Sequence, residues 1–557
     1  MRPAGRGELD SLYFTYPHFP ARQVAEQSGA DITHPVVIVG AGPVGMTAAL
    51  SLARHGVRSV LVDNKDTFND GSRATCIARP SFQIFQQIGA LEPFLAKSLG
   101  WTRGRSYYRG EEIFRLVMPH AESERFLPMY NLQQQYTEQF LHDACVARAD
   151  LIDIRWQSAV TGITIDEGGA TLSIATPTGD YPLKARYVLA ADGARSPIRT
   201  TLGLRLQGQN YTGRYVIADV QMEHDFPTER RAFFESKGNP GGTVLMHKQP
   251  DNIWRVDYQL KPGETPEEAL REENIRARVG AILDDIGHRG PWELEWWSIY
   301  TANTLCLDDY RHGPVIFIGD SAHIVPIFGV RGLNNGLADA HNAGWKLAYV
   351  LKGLADKRLL DSYTPERRGA TLDVFANATK STRFMTPPSR GWALAREAVL
   401  SLALSEDFAR EFANPRQMTA YTYSDSPLTP LAHQDAAFSA GPVSGAACLN
   451  ARLGDSSFLL DHTGKGFVGL FFVDAARNAP TDLIAALTAR DPDFTALVIA
   501  RSGGGIADPK GEIAAIFGAS DGTGYLLRPD LHVAARWRQL DAGAFSAALD
   551  ICLGGAR

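Results

Sequence analysis

Residues 36–45 read Val36-Val37-Ile38-Val39-Gly40-Ala41-Gly42-Pro43-Val44-Gly45. Four consecutive apolar β-branched residues suit a strand buried on both faces of a parallel sheet. The spacing Gly-x-Gly-x-x-Gly follows at once. A helical pattern then runs from Met46 to His55, with Gly56 placed to stop it. Ser59 to Asp63 is the next short strand, so the unit reads βαβ. Gly40 permits the tight turn, Gly42 lets a pyrophosphate approach the backbone, and Gly45 lets helix pack on strand. The helix N-terminus, opened by Pro43, presents free N–H groups to phosphate. Asp63, followed by Asn64 and Lys65, stands at the end of the second strand, where an acid binds ribose hydroxyls. The combination predicts dinucleotide binding without separating FAD from NAD(P).

Upstream, residues 1–34 are polar and rich in Pro, Gly and charge, an extension that wraps or frays; they lack the apolar core of a secretory signal. Downstream, residues 155–310 alternate short strands with turns, as in Tyr215–Met222, Gly242–His247 and Ile253–Leu260. A helical stretch at 267–286 interrupts this antiparallel, sheet-rich region. Pro314–Gly319 is another buried strand, followed by a glycine-rich loop and a helix at 337–353. Residues 413–445, rich in Pro, Ser, Thr and Gly, read as linker, and 446–557 alternate strands and helices as a separate domain.

Composition bounds the function classes. Of 557 residues, 44% are hydrophobic and 21% charged, which excludes a disordered or fibrous chain. A net charge of −6 gives no electrostatic ground for a nucleic-acid or anionic-membrane partner. No apolar run approaches the roughly 18 residues of a membrane span. The five cysteines (Cys76, Cys145, Cys306, Cys448 and Cys552) form no CxxC pair, so neither a metal cluster nor a dithiol centre is expected. Scattered thiols fit the cytoplasm.

Two further stretches carry chemistry. Tyr187–Arg199 is an apolar strand ending in Asp192-Gly193, with Arg195, Ser196 and Arg199 beyond. In Val315–Asn335 a strand delivers Gly319-Asp320, where an acid can grip a polyol chain. Pro326, Gly329, Gly332 and Gly336 then make a loop whose backbone can approach a flat ring, and the next helix points its positive end at that loop.

In this order the three motifs resemble the single-component FAD-dependent aromatic hydroxylases, the group of para-hydroxybenzoate, phenol and 3-(3-hydroxyphenyl)propionate hydroxylases. The family pattern GDAAHxxPPFxGxGxNxGxxDAxNLxWKL is met by Asp320, Ala322, His323, Pro326, Phe328, Gly332, Asn334, Gly336, Asp339, Ala340, Asn342, Trp345, Lys346 and Leu347. Asp361-Ser362-Tyr363 with Glu366-Arg367-Arg368, Gln134 with Glu138 and Leu141, and Arg73-Ala74 with Arg79 fit further family segments. The likeness covers about 35–400. Departures are Asp63 for the usual Glu, Ile327 for a second proline, and Arg331 where a small or amide residue is common.

The resemblance implies an α/β fold in which a Rossmann-like FAD-binding domain (35–105, 130–210, 311–400) interleaves with a β-sheet substrate domain (106–129, 211–310). A linker (401–445) and a thioredoxin-like C-terminal domain without CxxC (446–557) follow, the latter best matched at Tyr525–Asp530. FAD would be held by Gly40, Gly42, Pro43, Gly45, Asp63, Asn64, Lys65, Arg73, Arg79, Gln134, Asp192, Gly193, Gly319 and Asp320. Pro326, Gly329, Gly332, Leu333 and Asn334 would frame its ring. NADH or NADPH would reduce it, and O2 would give a flavin C4a-hydroperoxide that hydroxylates a small phenolic substrate. A homodimer is usual in the group. Arg331 brings a guanidinium near the expected flavin face, for an acidic substrate group or an anionic flavin. Candidates for the phenol-activating base are His247, Asp257, Tyr258 and Tyr300, of which Tyr258 is favoured; Arg255 and Asp257 share one strand face, and Trp254, Val256 and Tyr258 the other. Alternatives are Baeyer–Villiger or epoxidising oxygenation of a polyketide on the same fold, an NAD-dependent dehydrogenase, or a non-catalytic flavin-binding protein.

Overall fold

The computed structural model describes residues 1–557 except 122–123, 262, 327–328, 414–419, 430–435, 455–456 and 556–557. Ile327 and Phe328, singled out above, lie outside the described residues. The strand Thr33–Val39 is the centre of the first sheet, buried from Val36 onward. It pairs in parallel with Ser59–Val62 on one side and Tyr181–Ala190 on the other. Ile152–Arg155 and Val315–Phe317 extend the parallel set outward. The β-branched runs of the sequence are therefore the strands covered on both faces.

The second sheet has eight strands, in the order 323–324, 292–306, 207–222, 253–259, 243–248, 230–234, 103–108 and 111–117. Its central pairings are antiparallel, and one parallel contact, Arg230–Phe234 with Arg103–Tyr108, joins it to the earlier part of the chain. Period-two alternation gives it two distinct faces. The outer face carries Val216, Val244, Trp254, Val256, Tyr258 and Trp297, packed against Ile275, Val279 and Ile282 of the helix Glu272–Asp285. The inner face turns towards the first sheet.

The strand Cys76–Ala78 and its partners Met129–Asn131 and Leu99–Trp101 lie between the two large sheets. The N-terminal stretch wraps rather than frays. The Met1 amino group donates to the Trp297 carbonyl at 2.7 Å, and Arg2 pairs with Asp70 and Glu295. Beyond 446, a five-stranded mixed sheet (order 506–507, 495–502, 468–475, 523–527, 533–537) packs on the helix Gly332–Leu351. Trp345 and Tyr349 of that helix enter one cluster with Phe467, Leu526, Phe545 and Cys552. No helix among the described residues is long and apolar enough to cross a membrane.

Candidate active site: a nucleotide cradle beside a polar sheet face

The first glycine motif has the geometry its spacing demands. Gly40 has φ +105, and a Cβ on Gly45 would stand 1.9 Å from the Gly40 carbonyl oxygen. Gly42 caps the helix Pro43–Arg54, and a Cβ there would meet nothing within 4 Å. That open backbone at a helix N-terminus is a phosphate cradle. Asp63 accepts from the Ala41 N–H at 2.7 Å and from the Lys65 N–H at 2.9 Å. It thus fixes the glycine loop, and each carboxylate oxygen keeps a second lone pair. Asn64 and Lys65 are exposed beside it.

Gln134 is buried and serves the protein itself: its Oε1 accepts from the Ala74 N–H at 3.0 Å, and its Nε2 donates to Glu138. Glu138 in turn takes both the backbone and side-chain N–H groups of Asn69. Arg73 is exposed, and Arg79 is paired with Glu124. Spacing could place these residues near the motif but could not show which of their partners are protein groups.

Asp192 accepts from Ser196 Oγ at 2.7 Å and from the Ile198 N–H, while its Oδ1 is buried without a partner. Gly193 beside it has φ +76 and open space where a Cβ would be. Asp320 has a solvent-accessible side chain, yet protein surrounds it closely enough for burial to raise its carboxyl pKa, opposed by His323 and Arg73. An acid that is both accessible and desolvated opens on an internal cleft. Gly319 and Gly336 approach Val44 so closely that a Cβ on Gly336 would stand 2.7 Å from Val44 Cγ2. This contact docks the two nucleotide-facing helices. Leu333 packs at the first core's edge, and Asn334 clamps the glycine loop to the neighbouring strand, accepting from the Ala78 N–H at 2.8 Å and donating to the Cys76 and Val330 carbonyls. Pro326 and Gly329 are buried in that loop.

The inner sheet face meets this loop directly, since Tyr300 OH donates to the Val325 carbonyl at 2.6 Å. Register puts Asp219 opposite Arg255, and Asp257 between Ile217 and Leu245. Arg255 holds Asp219 with two hydrogen bonds of 2.9 and 3.0 Å and donates to the Arg73 carbonyl. Asp257 is 6% exposed, and its Oδ1 has no hydrogen-bond partner; Arg255 Nε stands 4.0 Å away. Burial raises its pKa to about 7, with Asp219 adding to the rise and Arg255 and Arg230 opposing it. His247 lies on the same face, 3.9 Å from Cys76 Sγ, and burial holds its ring well below the ordinary pKa.

One expectation is corrected. Tyr258 lies on the outer face, under the helix Glu272–Asp285 and with Arg278 over its ring, so it does not face the cleft. Arg331, expected near the flavin face, borders a cavity between helices, alongside Arg367, Asp373 and Tyr421.

The matched tail of the third motif serves another purpose. Asp339 accepts from the Gly319 N–H and pairs with His323 at 2.6 Å and Arg367 at 2.6 Å. Lys346 pairs with Glu366, which Arg528 of the C-terminal sheet also grips at 2.5 Å. Asp530 closes the network onto Arg528 and Trp345. No group of three potential ligands that could hold a metal occurs among the described residues.

Two sheets with a phosphate cradle in the first and a polar inner face on the second fit a dinucleotide-binding protein. The chain belongs to the FAD binding domain family, whose description matches residues 33–378. It is 26% identical over 523 residues to a 3-(3-hydroxy-phenyl)propionate/3-hydroxycinnamic acid hydroxylase of Mycolicibacterium smegmatis, covering 90% of each chain. To the enzyme of that name from Burkholderia cenocepacia it is 30% identical over 370 residues, covering 66% of this chain and 67% of the relative. The flavin-dependent monooxygenase PieE, solved with FAD and substrate, superposes with a TM-score of 0.79 at 24% identity, over 94% of this chain and all of that one. The rebeccamycin biosynthetic enzyme RebC does so with 0.74 at 23%, over 95% and 100%. These two likenesses establish the fold, and the family membership establishes the FAD-dependent enzyme class.

Proposed function

We propose that the protein is an FAD-dependent monooxygenase that uses NADH or NADPH and O2 to hydroxylate a small phenolic compound. The observation that carries this reading is that the glycine loop meets the sheet face bearing His247 and Asp257, through the Tyr300–Val325 hydrogen bond and through Cys76, which Asn334 holds and His247 approaches. The residues present fit FAD: the open Gly42 backbone for the pyrophosphate, Asp63 for ribose, the unpartnered Asp192 Oδ1 and the accessible Asp320 for hydroxyls. When bound, FAD supplies the redox chemistry and the activated oxygen. The chain's own work is to orient the ring, exclude water and take the phenolic proton. Asp257 Oδ1 suits that last role, being a carboxylate oxygen with no protein donor and a pKa near neutrality. Asp219 has both oxygens engaged by the Arg255 guanidinium, so its charge is already paired.

The five cysteines are buried and unpaired, which supports a reducing cytoplasmic setting. The mixed C-terminal sheet supports a thioredoxin-like tail with a structural role, and a homodimer completes the proposal; light scattering of the holoprotein tests the latter. The deciding assay measures hydroxylated product beside hydrogen peroxide with phenols, hydroxybenzoates and 3-(3-hydroxyphenyl)propionate, using isotopic O2. Product labelled on the ring is expected. Ring-inserted or epoxide oxygen would favour the alternative chemistry, and no flavin absorbance after FAD reconstitution would sink the reading. Asp320→Ala should purify with less FAD than wild type; equal content would remove Asp320 from the binding set.

A further inference from the structure

The structure assigns to this chain a second small-molecule site, behind the glycine loop, for a compact ring-bearing monocarboxylate. A cavity of about 80 Å³ lies where the helices Arg79–Gln87, Gly332–Leu351 and Tyr363–Met385 meet the C-terminal domain. Among the described residues, none of the antiparallel second sheet lines it, nor do Asp192, Asp320 or the first glycine motif, so it is separate from the cleft described above. Its volume exceeds that of a single water site several-fold.

The walls are largely apolar, from Ile84, Ala338, Val374 and Leu531. Most polar groups on the lining are already committed. Arg367 is spent on Asp339, Asn335 and Tyr423. Asp530 is held by Arg528 and Trp345. His341 bridges Ser51 and Gln87, and burial, with Arg54 adding to it, lowers its pKa to about 3, so its ring is neutral.

Arg331 is the exception. It is 5% exposed, its Nε is buried without a partner, and its side chain makes no hydrogen bond or ion pair with any described residue. Asp373 attracts it electrostatically but stands outside ion-pair distance, on an exposed helix face. A buried guanidinium without a counter-charge is unfavourable, and a carboxylate is the anion that fits its fork of donors. An apolar chamber with one such charge selects a flat or compact hydrocarbon body carrying a single acid group. An occupant would also touch the flavin side of the molecule mechanically. Arg331 immediately precedes the helix whose Asn334 ties Val330 to Ala78.

The test uses the holoenzyme. Crystals soaked in 4-bromobenzoate should show the anomalous bromine signal between Ile84 and Ala338, with the carboxylate on Arg331. In solution, calorimetric titration with benzoate should lose this binding event in Ala338→Phe, which fills the chamber without touching the charge. Arg331→Gln should weaken it on the order of tenfold or more. Benzyl alcohol, which keeps the ring and lacks the charge, should bind that site at least about tenfold more weakly than benzoate. Bromine found only in the cleft facing His247 and Asp257, or benzoate binding unchanged in both variants, overturns the proposal. If either variant fails to fold, the bromine position in the wild-type protein decides alone.

Discussion

At the scale of single residues, alternation separated the candidates for the activating base correctly into two faces but could not say which face met the cleft. Arg255 and Asp257 share one side of their strand and Tyr258 the other, as period two requires. The choice between them depends on where the helix Glu272–Asp285 packs, and no local pattern in the strand encodes that. With Asp257 on the inner face, product formation should rise with pH through about 7, because the carboxyl is protonated below that value. Asp257→Asn should abolish that limb and cut turnover by about 10²–10⁴-fold. The same variant should fold at least as well as wild type at pH 8, since a raised carboxyl pKa costs stability as pH climbs from about 4 to 7. A pH–rate profile of product, not of NAD(P)H consumption, checks it; an unchanged limb would return the role to another group.

At the scale of elements, the glycine spacing was legible because each position answers its own demand: a positive φ at Gly40, close packing at Gly45, and open backbone for a phosphate at Gly42. Two of them separate folding from binding. Gly45→Ala would drive a Cβ into the Gly40 carbonyl and should yield little soluble protein. Gly42→Ala meets no protein atom and should fold normally yet retain little FAD, read as the ratio of flavin to protein absorbance. Equal FAD content in Gly42→Ala would move the pyrophosphate elsewhere. The matched string around the helix Gly332–Leu351 was harder to apportion. Its N-terminal part frames the loop, whereas Asp339, Asn342, Trp345 and Lys346 turn to the helix Tyr363–Met385 and the C-terminal sheet. A helix presents different faces every few residues, so a continuous motif can serve two sites.

At the scale of the whole molecule, the antiparallel, sheet-rich middle and the separate C-terminal segment were visible as changes of pattern along the chain, whereas the interleaving was implied only by the resemblance to a family. The contact that joins the C-terminal sheet to the rest was not visible, because Glu366 and Arg528 are distant in sequence and ordinary in composition. Burial pushes the Glu366 carboxyl up, but Arg528 and Lys346 outweigh it and hold it down to about 2. A depressed carboxyl contributes stability that is whole above its ordinary pKa and lost as pH falls from about 4.5 towards 2, here about 3 kcal/mol. Glu366→Gln or Arg528→Met should each cost about 3–5 kcal/mol at neutral pH by stranding the partner charge. Thermal unfolding at pH 7 and pH 3.5 checks this, with the mutant and wild-type midpoints expected to converge at the lower pH.

That buried network bears on how such chains can be recombined. The C-terminal segment is not a cartridge. Exchanging it with a relative's would carry in a foreign answer to the two charges that Lys346 and Glu366 present, whatever the quality of the new segment's own core. Viable chimaeras should be those whose crossover keeps Lys346, Glu366, Arg528 and Asp530 from a single parent, so a library of tail exchanges would sort by that quartet rather than by overall identity.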